Sequence, residues 1–272
     1  MRLFGTKPPK NQGFTHSKGE NAQAGGAIIW IFIMIALFAA LNYAITNNSR
    51  SGVSNISDKQ AELAASEILD YSNSIKRAVH ELQINGCDDT EISFQNAVIG
   101  GYSNPNSPSD NSCHVFHSNG GGLQYVEPNR DWLDNTNNTV SHYGTWYTSA
   151  QSAINGLGVD PVGSACAGGT SDPSCHELIT GVPFIKRNIC EEINKKLGWG
   201  TDDNGTPFKD SGNSYGYTSL SQPFDGDYAP ASPHGMGLAS PSNYSAITSG
   251  CIEGGLDPAA GTYSFFQVLI VR

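Results

Sequence analysis

Between residues 21 and 49 the chain carries no Asp, Glu, Lys or Arg, and from 27 to 45 it is apolar apart from Asn42 and Tyr43. At about 1.5 Å per helical residue those 19 positions cover roughly 28 Å, close to the hydrocarbon thickness of a bilayer. The stretch predicts one membrane crossing. Arg2, Lys7, Lys10 and Lys18 precede it with no acid before Glu20, so the N-terminus is expected on the cytoplasmic side. A cleaved secretory signal fits less well. The apolar run is longer than the usual signal core, and the residues at its end offer no small-x-small cleavage site.

Everything beyond residue 50 is then exported. That part holds ten Lys and Arg against twenty-four Asp and Glu, a formal charge of −14. Phosphate recognition needs clustered cations, and the short pairs Lys76-Arg77, Lys186-Arg187 and Lys195-Lys196 are mixed with acids or apolar residues. A nucleic-acid partner is therefore not expected. All six cysteines, Cys87, Cys113, Cys166, Cys175, Cys190 and Cys251, also lie beyond the span. An even count in an oxidising compartment predicts disulfides, and the absence of CxxC and HExxH argues against zinc. Six cysteines allow fifteen pairings; nearest-neighbour closure suggests Cys87 with Cys113, Cys166 with Cys175, and Cys190 with Cys251, of which the first two are the expectation and the third is left open.

After the span, Ser57 followed by Gln60 resembles a capping box. Ala61, Ala64, Ala65, Ile68, Leu69, Ser72, Ile75, Val79 and Leu82 then recur at spacings of three and four, which predicts an amphipathic helix over about 57–84 stopped by Asn85-Gly86. With only Gly52 as a soft joint, span and helix are expected to be nearly continuous. From residue 86 the composition turns to Gly, Ser, Asn, Thr, Asp and Pro. "EISFQNAVI", "CHVFH", "LQYVEP" and the terminal "TYSFFQVLIVR" read as strands, the last of them buried. "SCHELITGVPFIKRNICEEINKKLGWG" reads as one or two short helices ended by Gly198, and residues 200–250 as long loops. The expected class is α+β: a long N-terminal helix, apolar then amphipathic, packed on a disulfide-bonded, mainly β, loop-rich C-terminal domain. The expected division is a basic cytoplasmic leader at 1–19, the helix at 20–85 and an extracytoplasmic domain at 86–272.

A basic leader ending in Lys18-Gly19, an uncharged apolar helix, an amphipathic continuation and a disulfide-bearing β domain together resemble a type IV pilin-like protein, meaning a pilin, minor pilin or pseudopilin. The resemblance implies cleavage after Gly19 by a prepilin-type peptidase, with Glu20 as the new N-terminal residue. It also implies polymerisation with copies of itself or other pilin-like subunits, membrane lipid surrounding the apolar helix before assembly. The family usually places Glu five residues after the cut; here that position is Ala24, and Glu20 is the nearby acid.

Candidate sites in the exported part are few. His114 and His117 both lie in "CHVFH", but residues three apart on a strand point to opposite faces, so a metal pair is not expected. Asp202, Asp203, Asn204, Asp225 and Asp227 have the oxygen-rich composition that can hold Ca²⁺, but solvated Asx-Gly turns explain them without any ion and no EF-hand pattern is present, so no metal site is expected. Trp132, Tyr143, Trp146 and Tyr147 cluster among polar residues and offer rings for stacking on a sugar or a partner surface. No Walker loop, Rossmann fingerprint or HExxH occurs, so no enzyme and no cofactor are expected. The expectation is a filament subunit of minor or tip type, made at the inner membrane and carried into an extracellular filament. The alternative is a single-pass anchor displaying a binding or adhesion module that never polymerises.

Overall fold

The structure is a computed structural model that describes residues 24–140, 142–167, 170, 172–209, 223–228, 234–236, 246–255 and 259–272, with the backbone alone at 24–28, 39–56 and 234–236. The basic leader, Gly19 and Glu20 lie outside the described residues. Helix α1 is Ala24–Ile84, and the chain separates into two compact units, Met1–Ile56 and Ser57–Arg272.

In the first unit, the described side chains at 29–38 are apolar and point outward all round the helix, from Ile29 and Trp30 to Phe38. The expected span at 27–45 is thus described only in part. Among the described residues no helix is long and apolar enough to cross a membrane.

In the second unit, α1 from Ser57 onward buries the predicted stripe. Ala61, Ala64, Ala65, Ile68, Ser72, Ile75, Val79 and Leu82 are all buried, and the three alanines let the helix approach its neighbours closely. Ser72 keeps its hydroxyl satisfied by donating to the Leu69 carbonyl at 2.9 Å. The helix ends where expected: Gly86 has φ +96°, a left-handed conformation suited to a residue without Cβ, and the Cys87 N–H donates back to the Leu82 carbonyl.

The stripe packs in one core with a face of a six-stranded mixed sheet. Its strands are β1 (Tyr147–Ile154), β2 (Glu177–Val182), β3 (Phe208–Lys209), β4 (His234–Met236), β5 (Ser249–Glu253) and β6 (Tyr263–Ile270), in the order β3-β5-β6-β2-β1-β4. β1 with β4 and β3 with β5 pair in parallel; the other pairings are antiparallel. Leu178, Val182, Phe265 and Leu269 face α1, whereas Ile179, Ile252, Phe266 and Val268 build a second core on the opposite face. The alternation along β2 and β6 is what a strand buried on both faces requires. Helix α2 (Arg187–Leu197) turns its buried Ile189, Cys190 and Ile193 inward and stops at Gly198, whose φ is 72°. Asn194, almost fully buried, donates to the Cys251 carbonyl at 2.7 Å and accepts from the Cys251 N–H at 2.8 Å, which pins α2 to β5.

These observations correct the expected fold. A helix running from 20 to 85 and lying on the domain is not shown. Only the part from Ser57 belongs to the compact domain, and a helix apolar on every side has no single stripe to lay on a sheet. The domain is not mainly β either: its mixed sheet of short strands is set among long turns, α2 and three 3-10 turns at Arg130–Trp132, Asn135–Asn137 and Pro173–Cys175. "EISFQNAVI", "CHVFH" and "LQYVEP" form no strand of the sheet; the first two share an isolated bridge between Ser93 and His114, and the Leu123 N–H of the third donates to the Val115 carbonyl. The Cys87–Cys113 disulfide and the Asn104 amide, which donates to the Thr90 and Ile92 carbonyls, hold this region as a loop layer over α1. "ELITGV" is the strand β2 rather than a helix, since pairing on both sides with β1 and β6 outweighs the helical preference of Glu177 and Leu178. The terminal segment is the buried strand β6.

Candidate functional site

Three disulfides close the domain, Cys87–Cys113, Cys166–Cys175 and Cys190–Cys251, and each joins neighbours in the order of the cysteines. They leave no free thiol as a nucleophile.

The four aromatic residues proposed as a recognition surface separate. Trp146 and Tyr147 are each 3% exposed and belong to the two cores. Trp146 packs against Tyr71 of α1 at 5.0 Å and Phe265 of β6 at 6.3 Å, and Tyr147 against His142 at 5.1 Å. Tyr71 in turn donates to the Gln124 carbonyl and accepts from the Val126 N–H, and burial pushes its phenol up to about 12. Tyr143 is half-buried and spends its hydroxyl on Asn135 Oδ1 at 2.9 Å. Trp132 lines a cavity.

That cavity is an open groove of about 450 Å³, within the size range of small-ligand sites, about 300–1,000 Å³. One wall is the first turns of the packed part of α1, with Ser57, Gln60, Leu63 and the buried Ala61 and Ala64. The second is the Arg130–Trp132 turn, where Asn129 caps the turn by accepting from the Asp131 N–H at 2.9 Å. The third is the start of α2, with Lys186, Asn188 and the buried Ile189. Backbone hydrogen bonds lock the last two walls together: Lys186 N–H donates to the Trp132 carbonyl at 2.8 Å, and Asp134 N–H to the Phe184 carbonyl at 2.8 Å. Lys186 Nζ adds a bond to the Asp131 carbonyl at 2.7 Å.

Within the groove, much of the hydrogen-bonding capacity is unspent. Among the described residues the side chains of Gln60 and Asn188, the Asp131 carboxylate and the Trp132 indole N–H have no intramolecular partner, and the Trp132 ring stacks on no other ring. Of the lining residues, Trp132 is visible in the sequence as a site candidate; Gln60, read there as part of a capping box, Lys186, read as part of a short basic pair, and Asp131 and Asn188 are exposed polar residues with no binding motif.

The remaining candidates do not form sites. His114 is buried and His117 accepts from the Asn119 N–H; their rings lie 6.2 Å apart, and burial first, then His117, lowers the His114 pKa. Asp202 is occupied by its own turn, accepting from the N–H groups of Asn204 and Thr206 and the Thr206 hydroxyl at 2.9–3.0 Å, with the Thr206 N–H foremost in holding its carboxyl below the usual range. Asp225 accepts from the Asp227 N–H at 3.2 Å. Among the described residues no group of three or more His, Cys, Asp or Glu could hold a metal ion.

Two buried polar groups were not anticipated. His176 stands between loops, with Nδ1 2.6 Å from the Tyr228 carbonyl and Nε2 2.8 Å from that of Thr170. Glu177 is fully buried in β2; Oε2 accepts from the Ile154 N–H at 2.9 Å, Oε1 has no partner among the described residues, and burial pushes the carboxyl up to about 8. The register sets Ser152 opposite both Glu177 and His234, but Ser152 and Glu177 are buried and offer no substrate a surface. No protein-family model, curated protein or solved structure matches this chain.

Proposed function

We propose that the chain is a subunit of a type IV pilus-like or pseudopilus filament, of the minor or tip kind. It is held by its apolar N-terminal segment in the inner membrane with the disulfide-bonded domain outside the cytoplasm. It is cut after Gly19 by a prepilin-type peptidase, and then assembled with copies of itself or other pilin-like subunits. The proposal assigns it no catalytic step.

One observation carries this reading. The helix presents apolar side chains on all sides over 29–38, with Trp30 at 69%, Met34 at 72% and Phe38 at 68% exposure. Each large apolar side chain left in water forgoes about 1.5–3 kcal/mol, so such a helix needs lipid or other apolar helices around it. A filament core supplies the second environment and a bilayer the first. The disulfides suit a domain that works outside the reducing cytoplasm.

The test is the N-terminal residue of the protein from its native host, read by intact mass and terminal peptide sequencing, together with its presence in filaments sheared from the cell surface. A chain that starts at Glu20 and travels with sheared filaments supports the proposal. A start at Met1 leaves an uncleaved anchor carrying a binding module, and a start beyond Leu41 removes the apolar segment; either result refutes filament assembly through that segment.

A further inference from the structure

We propose that the groove between the start of the packed part of α1, the Arg130–Trp132 turn and the N-terminus of α2 is a saccharide-binding site, with Trp132 as its stacking platform.

Four features of the groove point to that ligand class. The first is the indole itself: half-buried, anchored by both of its backbone hydrogen bonds, and with a ring stacked on no other ring. A rigid flat surface of this kind packs against the C–H face of a pyranose at low cost in side-chain entropy. The second is the mixture of hydrogen-bonding groups. Gln60, Asn188 and the Asn129 amide N–H₂ offer donors, Gln60 and Asn188 also offer carbonyl acceptors, the Asp131 carboxylate offers acceptors, and the indole N–H a further donor. A ring of vicinal hydroxyls, each able to donate and accept, is the ligand that uses both kinds at once. The third is the floor of Ala61, Ala64 and Ile189, small and apolar, which leaves room for ring carbons without presenting an unsatisfied polar group.

The fourth is charge. The groove holds one acid and one base, Asp131 and Lys186, and the Lys186 ammonium already donates to the Asp131 carbonyl. There is no cationic clamp for a phosphate or a nucleic acid, on a chain whose formal charge is −10. Nor is there the continuous apolar strip that an incoming helix would need, since Leu63 is the sole exposed large aliphatic among the lining residues. The ligand these features select is a neutral saccharide.

The test uses the full-length protein in detergent, titrated with cellotriose, maltotriose and chitotriose while tryptophan fluorescence and ligand-observed NMR are recorded. The expected result is saturable binding of at least one probe, lost by roughly tenfold or more in Trp132→Ala, partly restored in Trp132→Phe, and weakened in Gln60→Ala and Asn188→Ala. Thermal unfolding of each variant separates lost recognition from lost folding: Gln60→Ala and Asn188→Ala, at exposed positions, should melt as the parent does, while Trp132, half-buried against the core, is judged by Trp132→Phe, which keeps a ring there. Absence of saturable binding for all three probes at about 10 mM, the affinity of a contact worth under about 3 kcal/mol, overturns the proposal. So does binding that survives Trp132→Ala, or a groove found occupied by a second copy of the chain.

Discussion

Glu177 is the position at which the fold makes its sharpest quantitative claim. Its carboxyl is 0% exposed at the start of β2, receives a single hydrogen bond from the Ile154 N–H, and is raised by burial from an ordinary 4.5 to about 8. An acid whose folded pKa lies above its unfolded one binds its proton more tightly in the folded state. Its contribution to stability is therefore whole below about pH 4.5 and is lost as pH rises toward about 8. At about 1.4 kcal/mol per pH unit, the loss between about pH 5 and about pH 8 comes to about 3 kcal/mol. Glu177→Gln keeps the shape and can still accept from Ile154, but it cannot ionise. It carries a pH-independent cost of its own, about 1–3 kcal/mol, because its amide N–H₂ falls where Oε1 finds no partner. The diagnostic is thus the difference between variant and parent as a function of pH, in which every other titrating group cancels. Thermal unfolding of both full-length proteins, at fixed ionic strength, should show the variant gaining on the parent by on the order of 10 °C from about pH 5 to about pH 8. A difference that stays flat with pH would refute the reasoning, because it would mean that Glu177 is ionised or hydrated within the folded domain.

Two further outcomes are expected. Replacing the Cys190–Cys251 pair by serines, which frees a separation of 61 residues, should lower the urea midpoint more than replacing Cys166–Cys175, with a separation of 9; loop entropy gives about 4 against about 3 kcal/mol, and the reverse order would count against it. Gly205→Ala should cost about 1–3 kcal/mol, seen as a lower melting temperature, because Gly205 has φ +77° and a Cβ there would overlap the Glu191 carbonyl and stand 2.7 Å from the Lys195 nitrogen. An unchanged melt would mean that the turn after α2 is not packed against it.

How much of the fold can be read along the chain depends on how local its determinants are. The stripe from Ala61 to Leu82, the stop at Gly86 and the end of α2 at Gly198 depend on neighbours within a turn or two, and all three are visible as spacing or as a single residue. β6 is visible because its run of aromatic and β-branched residues matches its fate on both faces. β1 is not, since "YTSAQSAI" is half polar; Thr148 becomes acceptable in the interior only because its hydroxyl lies 3.1 Å from that of Thr180 across the pairing with β2. β2 is hidden for the same reason from the other side. Its helical residues are outvoted by two strands, one of them more than eighty positions away.

The groove follows the same logic more severely. Trp132, Trp146 and Tyr147 look alike in sequence, yet successive residues of a strand point to opposite faces, so Trp146 and Tyr147 at the head of β1 are drawn into the two cores. Trp132 is only half-buried because it ends a 3-10 turn outside the sheet, whose backbone is tied to the residue before α2, so its ring packs on the edge of the core and also lines the groove. Its companions carry no signal of their own. Gln60 and Asn188 are surface amides like any others until α1 and α2 are brought side by side, and what brings them together is apolar: Ala61 and Ala64 on one helix, Ile189 on the other, in a single core. The polar rim is thus positioned by packing beneath it. Substituting a rim residue should therefore change what the groove holds while leaving the domain folded, whereas enlarging Ala61 or Ala64 should push the walls apart and cost stability and recognition together.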